Sequence, residues 1–520
     1  MTMETLDTAL AVHAAERPEK PALICDGRRT TYGSLDRESE RAAHALLASG
    51  LRKGARVGYL GKESEHYYEL LYACAKSGVV LVPVNWRLTA AEVDYILRDS
   101  GAELLFTEEE FLDVARQVHA DLAGLKTLVF LDCRAPAGVP LEEWKAAGRG
   151  TCRSYRPTAD DPVAQLYTSG TTGYPKGVVL AHRSFFAVRD ALVGAGLDWI
   201  DWRPEDISLI SIPGSHIGGL WWATQGFNAG VTNVTTRVFS SKEATALIRD
   251  LGVTTTCVVP AMLLMLLAEP DTGPADFKTL RKVVYGGSPI SESLLRECME
   301  VMGCQFAQVY GLTETGNTAV CLPPAAHLLG GALLKAAGRP YPGFAVKIVD
   351  DTGEPLPTGE IGEVCIKTPG HMVEYWRLAE ATEKTLVDGW IHTGDAGRLD
   401  EDGHLYIQDR IKDMIIRAGE NIYPAEIENA VSAHPAVADV AVIGVPDSRW
   451  GEAVHAFVAL RPGQQATSLQ LKSFLRGRIA DFKIPSKYEF IDKVPRTASG
   501  KILRRTLRDR FWASQDRNVN

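Results

Sequence analysis

The sequence predicts a multidomain α/β protein, with parallel sheets flanked by helices and a small α+β domain at the C-terminal end. Three observations lead there. Helical and strand patterns alternate early in the chain, which is the signature of parallel strands joined by crossover helices. The run at 79–84 reads VVLVPV without polar alternation, as expected of a strand buried on both faces. The length of 520 residues exceeds what one hydrophobic core supports, so two to four domains or subdomains are expected.

The elements follow in order. Residues 35–48 (LDRESERAAHALLA) carry a helical period closed by Gly50, and 56–60 (RVGYL) read as a strand. Residues 67–77 are helical, 79–84 a strand, 90–99 a helix and 103–107 a strand. Residues 108–160 mix helix with connecting loop. Near the end, 424–433 read as helix, 438–444 and 453–460 as strands and 469–480 as helix, a small domain of about 110 residues.

Composition narrows the class. Apolar content of 45% and charged content of 23% are those of a soluble globular protein. The longest apolar run, CVVPAMLLMLLA at 257–268, is too short to span a bilayer and reads as a buried strand–helix segment. The N-terminus lacks a basic region followed by an apolar one, so no targeting peptide is expected. Nine cysteines with no CxxC pair suggest a reduced, cytoplasmic protein without structural zinc. A net charge of −9 argues against nucleic-acid binding. From Ile411 onward, however, 17 Lys and Arg face 12 Asp and Glu. That basic end suits polyanionic ligands, or is simply a solvated face. A homo-oligomer is compatible with the sequence.

Residues 167–177, YTSGTTGYPKG, lie between the apolar runs 163–166 and 178–180. A loop of this composition is either an ordinary surface loop or a phosphate cradle. The cradle would use backbone N–H groups and hydroxyls of Thr168, Ser169, Gly170, Thr171 and Thr172, with Lys176 adding a cation. It is not a Walker A loop, because Tyr174 and Pro175 follow Gly173 where Lys and Ser or Thr would be needed. Further strings follow: SIPGSHIGGLWW at 211–222, VVYGGSP at 283–289, QVYGLTETG at 308–316, GRPYPG at 338–343, WIHTGD at 390–395, RAGENIYP at 417–424 and VPRTASGKILRR at 494–505. Taken alone, His216 reads as a satisfied structural histidine and Trp221 and Trp222 as core.

Together these strings resemble those of the adenylate-forming (ANL) superfamily, which includes acyl-CoA synthetases, coumarate-CoA ligases, firefly luciferase and peptide-synthetase adenylation domains. The resemblance implies a large N-terminal domain, residues 1–410, of stacked α/β sheets plus a distorted β-barrel. A small, mobile α+β lid, residues 411–520, would turn about a hinge at Lys412. ATP would meet Thr168 to Thr172 and Lys176 through its phosphates. Gly287, Ser288 and Pro289 would lie against adenine, with Gln308 and Gly311 lining the nucleotide and Tyr310 stacking on the base. Thr313 would meet the α-phosphate, Glu314 would hold Mg²⁺, Asp395 would accept both ribose hydroxyls, and Arg410 would bind ribose or phosphate. The acid would lie near His216, in a channel opened by Gly218, Gly219, Gly286 and Gly311 and closed by Trp221 or Trp222. Gly419 and Glu420 belong to a loop expected to serve thioester formation, and Lys501 is the expected adenylation lysine.

The chemistry fits those residue types. A carboxylate resists substitution because oxide is a poor leaving group. Attack on the α-phosphorus of ATP releases pyrophosphate and makes an acyl-AMP, which needs positioning and charge neutralisation rather than a protein nucleophile. A thiol then displaces AMP. The expected activity is an AMP-forming acyl-CoA synthetase using a carboxylic acid, ATP, Mg²⁺ and CoA. The alternatives are a stand-alone acyl-AMP ligase loading a carrier protein, and a nucleotide-binding homologue without turnover. A medium-to-long fatty acid, an aryl acid and a cyclic carboxylate all fit as the acid.

Overall fold

Local sequence signals place the elements that build the site. The helix Ala90–Ser100 opens on a reciprocal capping box between Thr89 and Glu92 and stops at Gly101, whose φ of +69° lies in the left-handed region. The helix Glu65–Ser77 ends the same way at Gly78. Between them the strand Val80–Val84 is buried along its whole length, as its uninterrupted apolar run requires. The apolar run at 257–268 divides at Pro260 into the strand Thr255–Val258 and the helix Pro260–Leu267, with proline at the helix start where no amide partner is needed. The computed structural model describes residues 3–133, 138–148, 155–168, 174–288, 290–417, 420–447, 449–497 and 500–512, with the backbone alone at Lys412 and Asn421.

Among the described residues the strands form four sheets. One has nine strands, with Thr232–Thr235, Ile207–Ile210, Thr255–Val258, Lys282–Gly286 and Gln305–Tyr310 parallel at its centre. A second has eight, and its parallel core is Ala102–Thr107, Arg56–Leu60, Val80–Val84 and Pro162–Thr168. Lys176–Ala181 joins that sheet antiparallel to Pro162–Thr168, so the strands flanking the glycine-rich loop form a hairpin. A third, antiparallel sheet of five strands, including Gly362–Lys367, Trp390–Leu399 and Leu405–Arg410, makes a half-barrel. One continuous apolar core spans both large sheets and the half-barrel. The helix Ile217–Asn228 is buried over all but its first turn, consistent with a surface that is apolar nearly all round.

The C-terminal portion has its own sheet, whose long pair Val437–Asp447 and Gly451–Leu460 packs on the helices Pro424–Ser432 and Ser468–Leu475 around a separate core. The protein is thus a large N-terminal α/β domain followed by a small C-terminal domain. The helix expected over 469–480 stops at Leu475, because Arg476 turns extended (φ −58°, ψ 130°) and Gly477 takes φ +74°. No helix among the described residues is long and apolar enough to cross a membrane.

The seam between the two portions is polar. Asp409, the penultimate residue of the half-barrel strand Leu405–Arg410, accepts the Ala425 N–H at 2.8 Å. Arg504, from the C-terminal helix Arg504–Trp512, lies 3.9 Å from Asp409 and 3.6 Å from Asp413 and pairs with Glu428 at 2.7 Å. Burial raises the Asp409 carboxyl to about 6, against the pull of Arg504. Lys412 sits in the short 3-10 turn Ile411–Asp413.

Candidate active site

Residues of both large sheets and the half-barrel, far apart along the chain, meet at one place. Tyr310 ends the strand Gln305–Tyr310, and its hydroxyl donates to Asp395 Oδ2 at 2.7 Å. Arg410 Nε pairs with Asp395 Oδ1 at 2.6 Å from the adjacent strand, where the two residues are in register. The Asp395 N–H is held by Thr393 Oγ1 at 3.1 Å. Burial keeps the Tyr310 phenol well above its usual range, so it stays a donor.

Glu314 follows in the 3-10 turn Thr313–Thr315. Its carboxylate accepts the Tyr375 hydroxyl at 2.7 Å, and its backbone oxygen accepts the Met372 N–H at 2.8 Å. The ring of Tyr375 lies under the Lys176 ammonium, 4.8 Å from its centroid. Tyr375 therefore ties the acidic turn to the cation at the end of the glycine-rich loop. No sequence signal marked it; it stands in the plain string HMVEYW. Thr168 ends the opposite strand, directly across from Lys176. Ser169, Gly170, Thr171, Thr172, Pro289 and Gly419 lie outside the described residues. Gly287 and Ser288 follow the strand Lys282–Gly286, Gly287 at φ +81° and exposed. Gln308 accepts from Tyr285 at 3.1 Å. Glu420 is exposed and pairs across strands with Arg417.

His216 caps the helix Ile217–Asn228. Burial lowers its pKa to about 4, with Lys501 and then Arg87 adding positive charge nearby, so the imidazole is neutral. The loop carrying His216 is anchored two residues earlier. Gly214 donates its N–H to Glu63 Oε1 at 2.6 Å, and its carbonyl accepts the Tyr67 hydroxyl at 2.8 Å. Lys501 reaches this neighbourhood because Gly500 packs on the N-terminal domain. A Cβ there would stand 3.2 Å from both Val259 Cγ2 and Ala261 Cβ. The turn is closed by Thr497 and Lys501 backbone groups at 2.7 Å and by Arg496, which bonds the Gly500 carbonyl at 2.7 Å.

The expected acyl channel needs correction. Trp221 and Trp222 are 0% and 1% exposed, and their indoles pack on each other, Trp222 also on Trp202, within the core, so neither borders open space. Gly219, Gly286 and Gly311 do not open a channel either. A side chain at each would overlap backbone: the Ile212 carbonyl at Gly219, the Val309 carbonyl at Gly286 and the Asn317 carbonyl at Gly311. These three glycines permit close packing. Gly218 differs, with Ile212 Cδ1 at 3.4 Å and Asn317 Oδ1 at 3.8 Å from a would-be Cβ, which is ordinary contact distance.

A fixed carboxylate beside a phenol, an acidic turn facing a lysine, and a second lysine near a neutral buried imidazole can together hold a nucleotide and neutralise a transferring phosphoryl group. That combination suits an ATP- or AMP-binding, adenylate-forming ligase. Comparison with known proteins agrees: the family of AMP-binding enzymes matches over residues 10–376, and the AMP-binding enzyme C-terminal domain over 426–501. The chain belongs to the AMP-binding enzyme family, among adenylate-forming ligases of the acyl-CoA or acyl-carrier-protein ligase type. It is 62% identical over 519 residues to the fatty acid–[acyl-carrier-protein] ligase ScoC of Streptomyces coeruleorubidus, covering 100% of this chain and 98% of that protein. It is 36% identical to a feruloyl-CoA synthase of an Amycolatopsis species, with 95% and 96% covered. The o-succinylbenzoate CoA synthetase of Bacillus subtilis, solved with its acyl-adenylate intermediate, superposes with a TM-score of 0.83 at 32% identity, covering 96% of this chain and 98% of that one.

Proposed function

We propose that this protein activates a fatty acid as its acyl-AMP and passes the acyl group to the phosphopantetheine thiol of an acyl carrier protein. The adenylation half rests on one observation above all: the Lys501 turn is seated on Val259 and Ala261, beside the neutral His216. In that step the carboxylate oxygen bonds to the α-phosphorus, the bond to the bridging oxygen breaks, and pyrophosphate leaves. Lys501 and Lys176 neutralise the anions brought together, and Thr168 and Thr313 donate hydroxyl hydrogen bonds to phosphate oxygens. Asp395 accepts from ribose and Arg410 steadies it. His216, being neutral, donates to the acid without forming an ion pair.

The donor set also fits Mg²⁺, a hard cation that takes few protein oxygens and keeps phosphate and water ligands. Glu314 would hold it, with Tyr375 fixing the carboxylate; bound there, the ion would supply charge neutralisation to the phosphates. Residues 1–410 would form the adenylating domain and 411–520 a lid that pivots at Lys412. Gly419 and Glu420 would then line the thiol's approach. In the second step the thiol sulfur attacks the acyl carbonyl and AMP departs.

The carrier-protein acceptor is supported by the 62% identity to a fatty acid–carrier-protein ligase along the whole chain. CoA as acceptor is the second reading, favoured by the CoA ligases at 36% and 34% identity. The test supplies ATP, Mg²⁺ and a panel of acids by chain length and ring type, with either holo carrier proteins or CoA, and measures thioester formed per AMP released. Transfer to a carrier protein at a kcat/KM at least tenfold above that to CoA is expected. A preference for CoA over every carrier tested would reject the carrier reading while leaving acyl-AMP formation intact.

A further inference from the structure

Glu363, Cys365 and His392 form a cluster outside the nucleotide and acyl residues. They stand on one face of the half-barrel ladder, Glu363 and Cys365 on the strand Gly362–Lys367 and His392 directly across from Cys365 on Trp390–Leu399. His392 Nδ1 lies 2.8 Å from Glu363 Oε2 and 3.5 Å from Cys365 Sγ, and all three ligand atoms fall within 4.8 Å of one another. Cys365 is buried, while His392 and Glu363 remain about a quarter exposed (24% and 25%), so the cluster has one open side.

We propose that Glu363 Oε2, Cys365 Sγ and His392 Nδ1 form a binding site for a thiophilic divalent cation of the zinc type, with water completing its shell. Tetrahedral zinc holds nitrogen at about 2.0–2.1 Å and sulfur at about 2.3 Å, which separates the two donors by about 3.5 Å. The Nδ1–Sγ distance already has that value. A carboxylate oxygen at about 2.0 Å would sit about 3.3 Å from the nitrogen, about half an ångström beyond the present Glu363–His392 separation. The mixed N, O and S set selects zinc-like ions over magnesium or calcium, which take oxygen alone.

Charge fits as well. One thiolate and one carboxylate neutralise a divalent ion, so the filled site carries no net charge into a half-buried place. Without an ion, burial and the neighbouring Glu363 push the Cys365 thiol up to about 12. Lys347, paired across from Cys365, is the other charge beside it; its ammonium stands over the Trp390 ring at 4.8 Å. The second oxygen of Glu363 accepts the Gly394 N–H at 2.9 Å, which fixes the ligand carboxylate from behind and links the site to the turn before Asp395. The cysteine pattern hid this site, because its ligands come from two strands 27 residues apart.

The test is a cobalt(II) titration of the full-length, chelator-treated enzyme, followed by zinc displacement. One equivalent of cobalt is expected, with a thiolate-to-cobalt charge-transfer band that zinc abolishes. Cys365→Ser should lose the band. His392→Gln and Glu363→Gln, at partly exposed positions where folding is less at risk, should weaken cobalt binding at least tenfold. Cys133→Ser and Cys304→Ser, at the partly exposed thiols among the described residues, should keep the band. No band in the parent, a band surviving Cys365→Ser, or parent-like affinity in His392→Gln would overturn the assignment.

Discussion

The Tyr375 hydroxyl donates to the Glu314 carboxylate at 2.7 Å while its ring supports the Lys176 ammonium 4.8 Å away. One phenol thus holds both signs of charge that ATP would meet. Tyr375→Phe keeps the ring and removes the donor. Hydrogen bonds to charged groups contribute about 1.5–3 kcal/mol, so kcat/KM for ATP should fall roughly ten- to a hundredfold in ATP–pyrophosphate exchange. The Mg²⁺ concentration for half-maximal rate should rise with it. A variant matching the parent in both would leave Tyr375 as packing alone.

Asp395 is gripped from two sides, by Tyr310 and by Arg410. Asp395→Ala removes the shared acceptor and leaves Arg410 without this partner at a half-buried site. The apparent KM for ATP should rise by roughly one to two orders of magnitude, the cost of a charge-assisted hydrogen bond. The KM for the acid should change much less. Equal losses for ATP and acid, with a lowered melting temperature, would mean that Asp395 serves folding.

The strands were legible because buried parallel strands write themselves as unbroken apolar runs, as at 80–84. The strings 310–315 and 390–395 were legible because the residues of each are neighbours along the chain; the nucleotide contacts assigned to them belong to the proposed function. Tyr375 was not legible, since its role exists only where its strand pairs with Lys176–Ala181. The tryptophan pair misled for a related reason. A helix packed in a core and a helix lining a pocket present the same apolar residues in one dimension, and only the enclosure of both indoles separates them.

Gly218 and Gly219 are neighbours with opposite surroundings. A methyl at Gly218 meets nothing closer than 3.4 Å, whereas one at Gly219 would overlap the Ile212 carbonyl. Gly218→Ala should fold with parent stability or slightly better, since alanine is favoured in helices by roughly 0.5–1 kcal/mol, and should shift acid preference toward slimmer substrates. Gly219→Ala should lose about 1–3 kcal/mol through overpacking, read as a lower denaturant midpoint, with the ranking of acids unchanged. The reverse pattern would exclude Gly218 from the acyl path.

His216 is held neutral, with a folded pKa of about 4 against 6.5 in the ordinary state. The unfolded chain therefore takes up this proton first as pH falls. The stability this histidine permits is complete above pH 6.5 and is lost progressively toward pH 4. Replacing it by Phe should make stability less sensitive to acid across that window, measured by denaturant midpoints at its two ends. Activity should show no inflection from His216 near neutrality. An inflection near 6.5 that disappears in His216→Phe would mean the imidazole titrates in the working enzyme.

Lys501 lies on the turn that rests on Val259 and Ala261, and its charge reaches His216. In this arrangement the lysine faces the step that joins acid to nucleotide. The loop around Glu420 belongs to the same small domain but to its opposite end in sequence, just past the Ile411–Asp413 turn. Under the proposed function each element serves one step, and rotation about the turn would exchange them. Lys501→Ala should therefore reduce acyl-AMP formation by roughly 10²–10³, the cost of losing one charge-stabilising donor. It should still convert supplied acyl-AMP and thiol to thioester at close to the parent rate. Lys412→Pro, which restricts φ at the turn, should slow the overall cycle more than either half-reaction alone. The measurement is each half-reaction assayed separately on each variant. If Lys501→Ala loses both halves equally while its melting temperature is unchanged, the lysine serves both steps from one arrangement and no rotation is needed.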